Sequence, residues 1–280
     1  MKLFAVILPL FTFIAGAAGF FLRLRELGNV FDVNGLPQRG AAITSILIAV
    51  TAAVLFAVLV FSIYVAKKRK SFDGFENAFG TEPLSYPSIF SINGLIWLGA
   101  TVKYIFDINA TGNLTPGDIY FSALSALAAF STVLFAIEVY QDPRKKTLLG
   151  LSTIPVFFLC FWLILIYRQN ASNPVLLSYV YRCLAIIFAA LGFYFTAGFV
   201  FGKPAPGRTV FCSLAATYFC FVTLADKLAV VNEVSDIGIK FILCAIIAVN
   251  TVYASMLIRN LQMKTGIEAS FRDVAEDMYL

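Results

Sequence analysis

Apolar runs of membrane-spanning length alternate with short polar stretches along the whole chain. Eight such runs are predicted as helices, at about 3–22, 41–66, 89–108, 118–140, 147–167, 174–201, 209–226 and 237–258, with a short tail over 259–280. Each run reaches the roughly 17 residues or more that carry a helix across a ~30 Å hydrocarbon core. The pattern predicts an all-α polytopic transmembrane helix bundle, a single domain over 1–280. The longest connection, between Lys67 and Ser88, is too short to fold alone.

Turn chemistry sharpens several boundaries. Thr115-Pro116-Gly117-Asp118 supplies an N-cap hydroxyl, a proline at the first helical position and an acid three residues after the cap, so a helix is expected to begin there. Asp142-Pro143 and Asn173-Pro174 are expected to start the fifth and sixth helices in the same way. Pro83 and Pro87 disfavour helix in the residues before them, which places the third start near Ile89. Pro155 lies inside the fifth run and is expected to kink it, and Gly202 to Gly207 breaks the chain between the sixth and seventh. The first run allows two readings. Ala15-Gly16-Ala17-Ala18 resembles the small-residue site of a cleaved signal peptide, but an apolar run this long exceeds the usual 7–15-residue apolar region, which favours a retained span.

Composition agrees with a lipid solvent. Apolar residues make up 60% and charged residues 13%, against about 45–50% and about 25% in soluble domains. The net charge of +5 reads as topology rather than nucleic-acid binding, because the basic residues sit in short connections and line no soluble face. Thirteen of the 21 basic residues fall on one side, in Lys2, the run Lys67 to Lys70, Arg144 to Lys146, Lys203, Arg208, Arg259, Lys264 and Arg272. The opposite side holds Arg23, Arg25, Arg39, Lys103, Arg168, Arg182, Lys227 and Lys240. Both termini are therefore expected to be cytoplasmic, with the protein a multi-pass component of the cell membrane and the bilayer its first partner.

The chain contains no histidine, which excludes serine–histidine and cysteine–histidine catalysis. Cys160, Cys183, Cys212, Cys220 and Cys244 all lie in apolar runs without metal-ligand spacing, so no metal or cofactor is expected. Nucleophile-elbow, P-loop and zinc-protease motifs are absent, and no two aspartates sit mid-span; the chain is not expected to be an enzyme. Chemistry is sought instead among charges inside spans, which are functional by default. On the predicted topology Lys103, Asp107, Arg182, Asp226, Lys227 and Lys240 all lie toward the outer ends of spans, where they would converge on one outward polar vestibule. The plain alternative is that the basic side chains snorkel to the headgroups and the acids pair with them. Counted from Pro174, Arg182 would lie some 12 Å into its helix, too deep to snorkel, with Asp226 its expected partner. Tyr179 and Tyr181 flank it as a cation–π platform or as ordinary interfacial tyrosines. Thr217, Tyr218, Asn250 and Tyr253 are the main polar groups nearer the centre, and interhelical hydrogen bonding explains them without a ligand. Glu138 closes the fourth span on the inner side, where Arg144 is its nearest base.

Pro155 to Ile164, Tyr167-Arg168, Pro174-Val175-Leu176, Tyr179-Val180-Tyr181, Ala197-Gly198-Phe199 and Val222-Thr223-Leu224-Ala225-Asp226 resemble uncharacterised polytopic membrane proteins of clostridial-type bacteria. Arg25-Glu26-Leu27, Phe31-Asp32 and Gly35-Leu36-Pro37 are similar as well. The resemblance implies a bacterial cytoplasmic membrane and no particular activity, and where those proteins carry an acid after the tyrosine pair this chain has Arg182. The expected function is a permease-like bundle for a small solute or ion. The competing expectation is a membrane sensor or accessory subunit that binds a cytoplasmic protein through the Lys67–Ser88 connection and the tail. An intramembrane enzyme is the third and weakest.

Overall fold

The computed structural model describes residues 4–30, 42–67, 75–80, 85–112, 114–141, 149–170, 179–226 and 236–277. Among the described residues all regular structure is helical. The order is α1 (Phe4–Asn29), α2 (Ala42–Lys67), the five-residue α3 (Phe75–Phe79), α4 (Ser85–Thr111), α5 (Pro116–Gln141), a 3₁₀ turn (Leu149–Thr153), α6 (Ile154–Asn170), α7 (Val180–Val200), α8 (Pro206–Thr223) and α9 (Asp236–Asp277). Seven of the eight long helices are long and apolar enough to cross a membrane, all but α8. Their outward faces carry large apolar side chains such as Phe21, Phe56, Phe106 and Phe157, as lipid-facing surfaces require.

The 209–226 run forms the helix at the centre of the bundle. Fifteen of the 18 residues of α8 are buried, enclosed by α1, α2, α7 and α9. A helix surrounded by protein needs no lipid-facing surface, so it tolerates Ser213, Thr217 and Thr223. Small residues bring its neighbours close, as membrane packing demands. A Cβ added at Gly16 or Gly19 of α1 would lie 2.8 Å from Phe221 or Val222, and one at Gly207 would lie 2.6 Å from the Ser62 carbonyl of α2. The Ala15–Ala18 stretch therefore belongs to the α1–α8 contact.

Several ends differ from the sequence expectation. α1 continues past Leu22 to Asn29, carrying Arg23 and Glu26 into the bundle. α4 starts at Ser85, with Pro87 in the first turn, where a missing N–H is tolerated. Pro155 is the second residue of α6, behind the 3₁₀ turn, so it marks the passage from one helix type to the other instead of kinking a span. α7 is described from Val180, and α9 runs past Ile258 to Asp277. The starts expected at Asp142-Pro143 and Asn173-Pro174 lie outside the described residues. At the head of α5 the Asp118 carboxylate accepts from Thr115 N at 3.0 Å and Thr115 Oγ1 at 2.6 Å, while its other oxygen accepts from Tyr104 of α4 at 2.7 Å. α7 ends on Gly202 at φ +70, with Lys203 N donating to Gly198 O at 2.8 Å, a left-handed glycine cap.

Candidate functional site

Three charged side chains from distant parts of the chain meet inside the bundle. Arg23 Nε donates to Asp226 Oδ1 at 2.9 Å, and its Nη1 donates to Glu26 Oε2 at 2.6 Å. Exposure is 1% for Arg23, 2% for Glu26 and 4% for Asp226. Arg23 and Glu26 are three residues apart, so one helix face presents both. Asp226 is held by the turn that leaves α8, where its N–H donates to Thr223 O at 2.9 Å. From α7 the Tyr181 ring stacks on the guanidinium, 5.0 Å from ring centroid to Arg23 Cζ, and Arg182 acts on the Asp226 carboxylate through its charge. The buried carboxylates Glu26 and Asp226 are thus paired through one buried guanidinium, with half-buried Arg182 the neighbouring second cation.

A cleft of about 430 Å³ opens beside this cluster between α2 and α7, floored by α1 and α8. It is lined by the polar residues Arg23, Glu26, Thr44, Thr51 and Tyr181 and by Ile48, Ala52, Leu55, Val180, Leu184 and Phe219. Thr51 Oγ1 and Tyr218 OH lie 2.9 Å apart, which ties α2 to α8 beside the cleft. A hollow of about 460 Å³ at the opposite end is formed by Gly202 to Arg208 together with Ala66; it is a fold of one connecting turn, without buried charges of both signs.

The residues singled out in the sequence divide between several places. Asp226 and Arg182 join the buried cluster, but the direct partner of Asp226 is Arg23. Arg182 lies in the first turn of the described α7, so the depth of 12 Å counted from Pro174 does not hold for the described helix. Tyr179 is the half-buried residue that precedes α7. Lys103 and Asp107 pair with each other along α4 at 2.7 Å, with side chains 49% and 25% exposed; this is an i,i+4 surface pair and does not line the cleft. Lys240 is half-buried in the first turns of α9. Lys227 lies outside the described residues, as does the side chain of Glu138.

The mid-membrane polar group splits likewise. Thr217 Oγ1 donates to Ser213 O at 3.0 Å and lies 3.1 Å from Thr251 Oγ1 on α9. Asn250 donates to Ile246 O at 3.0 Å, and its Oδ1 occupies the space left by the missing side chain of Gly192. Tyr253 is buried in an aromatic cluster, with Phe90 at 5.2 Å and Phe79 and Phe193 each at 5.8 Å between centroids. Among the described residues no three of Cys, Asp and Glu gather at one point. The apolar run stops at Leu22, so hydropathy alone leaves Arg23 and Glu26 outside the first span. The available signal was their spacing of three, directly behind the first span and against the charge trend of that side. No protein-family model, curated protein or solved structure matches the chain.

Proposed function

We propose that the chain is a multi-pass membrane protein that binds a small ligand in the cleft between α2 and α7, the recognition step of a permease-like function. The observation that supports this reading is the cleft itself: about 430 Å³, flanked by two spans and bordered by the buried Arg23–Glu26–Asp226 cluster. Interhelical pockets of this size with a few polar groups are the usual form of a ligand site. In the proposed topology α8 is an eighth crossing, both termini are cytoplasmic and the Asp226 end faces outward, in keeping with the basic-residue asymmetry. The resemblance noted above sets the proposal in a bacterial cytoplasmic membrane. The test is thiol labelling of intact cells after replacing Cys160, Cys183, Cys212, Cys220 and Cys244. Thr44→Cys and Thr51→Cys should react with a membrane-impermeant maleimide from outside, and Asn250→Cys, packed between α7, α8 and α9, should not. Protection of both threonine positions from either side of the membrane would sink the reading.

One observation favours a second reading. α9 is continuous for 42 residues, and sixteen of them follow Leu261, a residue of the buried core. Sixteen helical residues extend about 24 Å, which suits a handle for a cytoplasmic protein. Deleting residues from Gln262 onward should abolish copurification of one specific partner while membrane insertion persists; an unchanged set of copurifying proteins would reject this role.

A further inference from the structure

The cleft joins one charged pair, Arg23 and Glu26, to a mostly apolar lining, and that combination constrains what it holds. Along α2 its lining runs from Thr44 through Ile48, Thr51 and Ala52 to Leu55, eleven residues or about 16 Å of helix. Arg23 and Glu26 line it beside Asp226, the Thr51 hydroxyl is already engaged by Leu47 O and Tyr218 OH, and Ile48, Ala52, Leu55, Leu184 and Phe219 make up an apolar wall. A polar solute travelling inward would meet a dry apolar wall, where each unpaired polar group costs several kcal/mol. An apolar chain would meet matching surface.

The sides of the cleft point the same way. α2 packs chiefly on α8 and α1, and α7 chiefly on α8 and α6, so the two flanking helices diverge over the floor. Ile48 and Val180, which line the cleft, are 57% and 38% exposed on the lipid-facing surface. A chain already in the bilayer can reach the cleft sideways. At the head Arg23 and Glu26, ion-paired at 2.6 Å, line the cleft with one charge of each sign. A head of single charge would leave an uncompensated charge there, whereas one carrying both signs places phosphate toward Arg23 and ammonium toward the carboxylates.

We infer that the ligand of the α2–α7 cleft is a single-chain zwitterionic amphiphile taken from the bilayer, its head at the Arg23–Glu26–Asp226 cluster and its chain along Ile48, Ala52 and Leu55. The inference rests on the reading of the cleft as the ligand site. The probe that tests it is lysophosphatidylcholine carrying a mid-chain diazirine, photolysed with the full-length protein in nanodiscs and mapped by mass spectrometry. Labelling should concentrate on peptides spanning Ile48–Leu55 and Val180–Leu184. It should fall at least tenfold in Ala52→Phe, which fills the cleft from an exposed position, and stay unchanged in Phe56→Trp, which does not line it. An excess of unlabelled lysophosphatidylcholine should compete tenfold better than a fatty acid or an alkylammonium of equal chain length. Equal competition by all three would overturn the zwitterion assignment, and full competition by phosphocholine alone would overturn the amphiphile and leave the site. Labelling spread evenly over the lipid-facing helices and indifferent to Ala52→Phe would overturn the inference; thiol accessibility of Thr44 and Thr51 would show independently whether the site reading falls with it.

Discussion

Among the described residues Arg23 holds two buried carboxylates at once. A guanidinium stays charged under all ordinary conditions, so removing it leaves two buried carboxylates facing each other. Arg23→Ala is expected to lower stability by about 3–5 kcal/mol, read as a shift in the unfolding midpoint on SDS titration in mixed micelles. Arg182 is half-buried where Arg23 is 1% exposed, and Arg182→Ala should cost less than Arg23→Ala in the same assay. Equal losses from the two variants would contradict the assignment of Arg23 as the direct partner. A neutral counterpart exists between α4 and α5, where Tyr104→Phe deprives the fully buried Asp118 of a donor and should cost about 1–3 kcal/mol in the same assay. The importance of Arg182 is legible in the sequence as a charge near a span; that of Arg23 is not, because its partner lies 203 positions away and no local pattern announces it.

Helix ends and helix environments differ in how well the chain declares them. The start of α5 is readable because Thr115, Pro116 and Asp118 act within one turn. The extension of α1 past Leu22 is not, since hydropathy treats Arg23 as a stop whereas burial with Glu26 and Asp226 neutralises it. Hydropathy likewise sums residues without knowing which faces meet lipid. That is why α8 fails the membrane criterion although 15 of its 18 residues are buried. The glycines of α1 test this packing directly. Gly16→Leu would drive side-chain atoms into Phe221 and should destabilise by about 1–3 kcal/mol or more. Gly28→Ala meets nothing within 4 Å and should be neutral or stabilising by up to about 1 kcal/mol. Similar losses at both positions, in the same titration, would argue against a close α1–α8 contact.

For the whole molecule, run length and composition are enough to make the helical bundle legible, because each long apolar run has no other way to satisfy its backbone in lipid. The arrangement of helices around α8 and the cleft that results are properties of long-range packing and carry no sequence signature. Thiol reactivity reports that arrangement without any substitution. Cys160 and Cys244 are exposed, while Cys212 and Cys220 of α8 are buried. A lipid-soluble pyrene maleimide should modify the first pair in the folded protein and reach the second only after denaturation, as counted by mass spectrometry. Early modification of Cys212 or Cys220 would mean that α8 is not the enclosed helix.

The bond between Arg23 and Asp226 also has a history within each molecule. Its two ends are 203 residues apart, so at roughly 5–20 residues per second of synthesis the arginine waits about 10–40 seconds for its distant acid to be made. During that interval Glu26, one helical turn away, is the acid already on hand to neutralise it. Glu26→Gln should therefore harm the nascent chain more than the finished protein, with first-helix insertion failing in ribosome-bound truncations that end before Asp226 and recovering in full-length chains.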